Sequence, residues 1–188
     1  MPGLLDLLYR DHDNMKKLFG VFEQELSIFN RGEPPDYDLI VEILDYCIAY
    51  PDIYHHPLED LILERLKTRD PEAAAPIGDL HDEHNRLMAQ TRIFLALVHD
   101  VRQQQEVPRA EFSEAAQSFL DAYRTHMRYE DETMFPAAAK SLTDEDWAEI
   151  EASWSSPYDP LFADRAEQRY RRLRNAVLEQ YGVMEKSK

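Results

Sequence analysis

The chain has 188 residues, a length that suits one domain. Hydrophobic residues make up 44%, enough for a packed core, and with only 5 glycines and little Val/Thr alternation the composition favours helices over strands. A formal charge of −16 opposes binding to nucleic-acid phosphates and anionic membrane surfaces, and the single cysteine, Cys47, excludes a disulfide framework.

A first helix is predicted from about Leu4 to Asn30. Its apolar stripe is Leu5, Leu8, Met15, Leu18, Phe19, Phe22, Leu26 and Phe29, and His12 falls on the same stripe. Gly32, Pro34 and Pro35 end it. A second helix is predicted from Tyr37 to Lys67, with Ile40, Leu44, Cys47, Tyr54, Leu58, Ile62 and Leu66 facing inward. Pro51 and Pro57 predict a kink or short break within it rather than two separate helices. Cys47, in an apolar run, reads as a buried, inert thiol.

A third helix is predicted to begin after Asp70-Pro71 and to end near Gln105, with Ile77, Leu80, Leu87, Thr91, Phe94 and Val98 on one face. A fourth carries Phe112, Ala116, Phe119, Tyr123, His126 and Glu130 at alternating four- and three-residue steps, and ends between Pro136 and Lys140. Four amphipathic helices with short connections predict an all-α, antiparallel up-down four-helix bundle over residues 1–140. Residues 141–188 form a C-terminal helical extension. Thr143 caps a short helix through Trp154, Ser155 to Pro160 is a loop, and Ala163 to Tyr181 is a last helix closed by Gly182. This extension is expected on the outside of the bundle or at a contact between two copies of the chain, as in a homodimer.

Each of the four bundle helices places a histidine near the middle of its inner face. The second carries His55-His56-Pro57-Leu58-Glu59-Asp60 and the fourth His126-Met127-Arg128-Tyr129-Glu130-Asp131. Both contain His-x-x-x-Glu, a spacing that stacks imidazole and carboxylate on one helix face. The spans His12 to His55 and His84 to His126 are nearly equal, as two helical hairpins brought together would require. Two buried carboxylates without partners cost several kcal/mol each. A metal pair satisfies them, with imidazole and carboxylate as natural ligands for iron or similar ions.

These residues, with Asp11-His12-Asp13-Asn14-Met15 and Asp82-Glu83-His84-Asn85, make residues 1–140 resemble the hemerythrin-type (HHE cation-binding) domains. The resemblance implies a centre of two non-haem iron ions, carboxylate-bridged by Glu59 and Glu130, with His12, His55, His84 and His126 as terminal ligands. The family's oxygen carriers take a fifth His from the third helix, four residues from its neighbour. Here the additional candidate is His81, three residues before His84, a departure from the carriers' spacing. His56 and Asp60 repeat the His55–Glu59 pattern one residue on. Because one residue is about 100° around a helix, only one pair is expected to face inward. His55 and Glu59 align with Leu58 and Ile62, so His56 is expected outside the ligand set. Tyr9, Tyr54, Tyr123 and Tyr129 lie near ligand positions, where amphipathic packing is the favoured role.

The implied function is binding or sensing of a small ligand such as oxygen or nitric oxide, or handling of iron. The alternative is a di-iron redox enzyme acting on nitric oxide or peroxide, or repairing iron centres. A structural protein with the last helix as its contact would hold no metal. There is no Glu-x-x-His pair, no His-Glu-x-x-His motif, no Gly-rich phosphate loop and no evident nucleophile. The first residues lack the features of a signal peptide, and no run is long enough to span a bilayer, so a cytoplasmic protein is expected.

Overall fold

Four helical rods account for the apolar stripes of the sequence. The computed structural model describes residues 2–154, 161–162 and 168–182, and these contain no strand. Helix α1 (Pro2–Asn30) is the first rod. The second joins α2 (Tyr37–Ala49), a π-helical turn (Pro51–His55) and α3 (His56–Arg69). A single turn, α4 (Pro71–Ala74), leads to the third rod, α5 (Leu80–Arg102). The fourth joins α6 (Arg109–Tyr129), a second π-helical turn (Glu130–Met134) and α7 (Phe135–Ser141). Helix α1 packs against α2 and α6, and α5 packs against the same two, so the rods close into a ring of neighbours. The result is a helical bundle.

Side-chain caps set the starts. Asp36 accepts a bond from the Leu39 N–H and opens α2, and Asp79 accepts one from the Asp82 N–H and opens α5, both at 3.0 Å. The third rod begins later than the sequence suggests. Asp70 caps the separate turn α4, and Gly78, at φ +76°, breaks the chain before Asp79 caps α5. The expected kink in the second rod is a π-helical turn: the His56 N–H reaches the Pro51 carbonyl, five residues back. Pro57 has no N–H to give, so the ordinary ladder is already interrupted there.

The core is in two parts. Leu5, Leu8, Leu58, Leu66, Leu80 and Phe135 belong to one apolar cluster. Phe19, Phe22, Ile40, Leu44, Phe94 and Phe112 belong to the other. Burial of each such side chain stabilises the fold by roughly 1.5–3 kcal/mol. Helices α1 and α5 run from the first cluster to the second, and the other two rods run back. A polar layer, at the level of His12, separates the clusters.

The C-terminal segments pack on this frame. Helix α8 (Asp144–Ser153) opens with a capping box between Thr143 and Asp146. The Asp146 carboxylate also receives two bonds from Arg69, each 2.8 Å, which tie α8 to α3. Helix α9 (Arg171–Tyr181) follows a 3₁₀ turn (Gln168–Tyr170) and packs against α1 and α2, with Leu173 and Val177 in the second cluster. Gly20 permits this approach, since a Cβ there would lie 1.8 Å from the Tyr181 hydroxyl. The expected loop from Ser155 to Pro160, and residues 163–167 of the expected last helix, lie outside the described residues. Cys47 is buried, and burial pushes its thiol pKa up. Among the described residues no helix is long and apolar enough to cross a membrane.

Candidate metal centre

The polar layer gathers histidines from all four rods. His12 of α1 and His55 of the first π turn bring their Nε2 atoms to 3.1 Å from each other. On the other side stand His56, His84 of α5 and His126 of α6. The His56 and His84 rings stack at 3.9 Å with 10° between their planes, and His126 stands edge-on to His84 at 4.9 Å. All five rings are buried. Two groups of ligand atoms are compact enough to hold a cation: His12, His55 and Glu59, and His56, Glu59, His84 and His126.

Glu59 belongs to both groups, and its two oxygens face different halves. Oε1 is 3.1 Å from His55 Nε2 and 3.7 Å from His12 Nε2, while Oε2 is 3.5 Å from His84 Nε2. Glu130 repeats the arrangement from the opposite rod. Its Oε1 lies 3.2 Å from His126 Nε2 and 3.5 Å from His84 Nε2, and its Oε2 lies 3.4 Å from His12 Nε2. Both carboxylates are fully buried, and among the described residues none of their four oxygens has an aligned hydrogen-bond partner. Carboxylates removed from water in this way call for cations. Five imidazoles and two carboxylates facing one buried space fit two borderline divalent ions.

An outer circle of acids fixes the rings. Asp131 Oδ1 is 2.7 Å from His12 Nδ1, and Asp11 Oδ2 is 3.2 Å from His55 Nδ1. Asp60 Oδ1 is 3.4 Å from His84 Nδ1, and Glu83 Oε1 is 3.5 Å from His126 Nδ1. Each acid adjoins one inner residue in sequence and serves a ring on the next rod. Asp11 of α1 serves the second rod, Asp60 the third, Glu83 the fourth, and Asp131 returns to the first. The bonds of His12 to Asp131 and of His55 to Asp11 set which nitrogen carries the proton and turn Nε2 toward the centre, while Asp60 and Glu83 stand beside the Nδ1 atoms of His84 and His126 without an aligned bond. Glu83 also lines an open groove of about 1110 Å³ between α5 and α6.

The same contacts shape the titration of the layer. Burial alone would lower the pKa of His84, but the nearby carboxylates of Asp60, Glu130 and Glu59 lift it to about 9. His55 is raised well above its usual value because the Glu59 charge and the Asp11 bond outweigh burial. His12 is raised because Asp131 and Glu130 outweigh burial. His56 goes the other way. Burial and the neighbouring rings of His84, His55 and His126 hold its pKa well below the usual range, so it is a neutral ring. Glu130 resists burial because His126, His12 and His84 hold its carboxyl well below the usual range.

The family model described as Hemerythrin HHE cation binding domain matches residues 3–138. The chain belongs to this family. No curated protein and no solved structure matches the chain. The matched span contains the four rods up to Ala138 of α7 and every residue of the polar layer, whereas α8 and α9 of this hemerythrin-like chain lie beyond it.

Six of the residues singled out in the sequence meet in the layer: His12, His55, Glu59, His84, His126 and Glu130. His81 does not. It is exposed on the first turn of α5, with its Nδ1 3.0 Å from Asp60 Oδ2. The expectation that His56 stays outside is corrected. The π turn carries one residue more than an α turn, so the 100° step does not hold across it. His55 and His56 both face inward, and Asp60 lies at the margin, holding His84 and His81. The fifth ring therefore comes from the second rod, not the third. The signal was the pair of prolines, and Pro136 follows the second π turn as Pro57 follows the first. The outer acids were visible only as neighbours of ligand positions. Of the tyrosines flagged, Tyr123 bonds Thr91 and Tyr129 bonds the Pro76 carbonyl. A phenol not flagged in the sequence, Tyr50, reaches the edge of the layer, where its O–H donates to Asp11.

Proposed function

We propose that the protein holds two non-haem iron ions in this layer and binds or senses a small ligand such as oxygen or nitric oxide. The shared placement of Glu59 and Glu130, each with one oxygen toward either half, is the observation that carries the reading. His12 and His55 would serve one ion, and His56, His84 and His126 the other. Three rings on one side and two on the other leave the two-ring half with more room for an added ligand. The apolar clusters above and below keep bulk water from the layer, whose five rings and two carboxylates are buried. Bound iron supplies reversible electron exchange and an affinity for diatomic ligands. The protein supplies orientation through the outer acids, and a closed, dry enclosure.

Residues 1–140 then form the iron-binding bundle, and residues 141–188 an extension that braces it through α8 and α9. A redox enzyme acting on peroxide or nitric oxide is the second reading, favoured by the Tyr50–Asp11–His55 contact described below.

The test is metal analysis after anaerobic reconstitution with ferrous iron, followed by titration with oxygen and with nitric oxide under an optical spectrometer. About two irons per chain and a stable, reversible oxygen-dependent absorption are expected for a carrier or sensor. Rapid bleaching with turnover of a reductant favours the enzyme. A chain that takes up zinc alone, or no metal, overturns both.

A further inference from the structure

We propose that Tyr50 and Tyr54 form a one-electron relay between the buried centre and solvent, with Asp11 taking and returning the phenolic proton. The proposal rests on the two-iron reading and assigns a route by which electrons reach that centre.

Tyr46, Tyr50 and Tyr54 lie side by side along the second rod, with ring centroids 5.6 Å apart for the first pair and 5.9 Å for the second. Tyr50 is buried, and its O–H donates to Asp11 Oδ2 at 3.2 Å. The same oxygen is 3.2 Å from His55 Nδ1, and the other nitrogen of that ring faces Glu59 and His12. One carboxylate therefore separates Tyr50 from a ring of the centre. On the outer side the Tyr50 and Tyr54 centroids are 5.9 Å apart. Tyr54 is half-buried, and its carbonyl accepts a bond from the Trp154 indole N–H at 3.2 Å. Tyr46 also touches Tyr50, at 5.6 Å, but it is buried and leads to buried Tyr170, so among the described residues Tyr54 is the more exposed neighbour.

The proton decides why this phenol can serve. A buried tyrosine that lost an electron and kept its proton would be an unpaired cation in an apolar surround, which is costly. Tyr50 avoids this by giving its electron to the oxidised centre and its proton to Asp11. A neutral phenoxyl and a neutral carboxylic acid remain. Tyr54 then gives an electron to Tyr50, Asp11 returns the proton, and the Tyr54 proton leaves to water. A small reductant in solution, such as ascorbate, refills Tyr54. Hydrogen peroxide is the terminal oxidant. Each peroxide takes two electrons and two protons to give two waters; the first draws its electrons from two ferrous ions, and the relay turns over twice for each peroxide after that.

The experiment begins with the full chain loaded anaerobically with ferrous iron, its metal content measured first. Two equivalents of hydrogen peroxide are added, the first to oxidise the two ferrous ions and the second to draw electrons from the relay, samples are freeze-quenched for electron paramagnetic resonance, and a nitroso spin trap is mapped by peptide mass spectrometry. Wild type is expected to give a tyrosyl signal and a trap adduct on Tyr54. Tyr50→Phe is expected to keep its iron and lose the Tyr54 adduct. Tyr54→Phe, which does not touch the centre, is expected to retain a tyrosyl signal on Tyr50 and give no trap adduct. The relay is overturned if the second equivalent of peroxide is consumed without a tyrosyl signal, or if the Tyr54 adduct survives in Tyr50→Phe. A chain that takes up no iron overturns the two-iron reading and the relay with it, and the initial metal measurement tells the two failures apart.

Discussion

Asp11 precedes His12 in the chain, yet its carboxylate holds His55 on the neighbouring rod, with Oδ2 3.2 Å from Nδ1. The same displacement recurs for Asp60 and His84, Glu83 and His126, and Asp131 and His12. Each helix thus carries an inner residue for the centre and an acid that orients its neighbour's ring. The bundle and the site are consequently interlocked, because shifting one rod disturbs a ring on the next.

Removal of one acid from this circle should weaken metal binding without unfolding the bundle. For Asp11→Asn the expected loss in metal affinity is about 10- to 100-fold, read by competition with a chelator. Asp13→Asn is the control, since that side chain is exposed and pairs with Lys16. Equal affinities for the two variants would mean that the circle has no orienting role.

His56 and His81 make a sharper comparison. His56→Ala is expected to lower the iron content, because it strips a ring from the three-ring half. His81→Ala is expected to leave it unchanged, because His81 sits on the surface beside Asp60. Metal analysis of the two purified variants decides the matter, and the reverse result would return the fifth ring to the third rod.

The stability of the metal-free protein should depend on pH with a definite sign. His12, His55 and His84 have raised pKa values in the folded chain, against about 6.5 when unfolded. Their contribution is full below about 6.5 and is lost as pH rises through the folded values, near 9 for His84. His56 has the opposite shift, so below about 6.5 the unfolded chain binds a proton that the folded chain refuses. The melting temperature without metal should therefore peak near pH ~6.5 and fall on either side. Iron needs deprotonated nitrogens, so the rise in melting temperature on loading should grow with pH. Calorimetry with and without a chelator measures both trends, and a metal-free melting temperature that climbs toward pH ~9 would contradict the assignment.

Helix α9 should matter for stability rather than for metal. Leu173 is fully buried, and Leu173→Ala is expected to cost about 2–5 kcal/mol. Gly20→Ala is expected to stay within about 1 kcal/mol of wild type, since the half-exposed Tyr181 phenol can swing aside and alanine favours the helix. Urea unfolding gives both values. Iron content should be unaltered in both variants, and a loss in Leu173→Ala would make α9 part of the metal-binding unit.

Several features were legible because they are local. Apolar residues at three- and four-residue steps in α1 and α6 define the faces of those helices, since the α-helical repeat is fixed by the backbone. His12, His126 and Glu130 fall on those faces, so their inward direction follows from spacing alone. Thr143 announced α8, because a cap and the N–H it serves lie within one turn. The start of the third rod was misplaced because a cap at Asp70 can open a single turn as well as a long helix, and Gly78 with Asp79 made the choice.

By itself the sequence determined the helical class, the four inner faces and six of the seven inner residues of the layer. The tertiary structure decided the seventh, His56, and the pairing of every outer acid with its ring. Two physical reasons account for the difference. The π turn at Pro51–His55 adds a residue to the helical repeat, so face assignments cannot be carried across it by counting. The outer contacts join atoms on adjacent rods, and which rods are adjacent is settled only when the apolar faces close on one another.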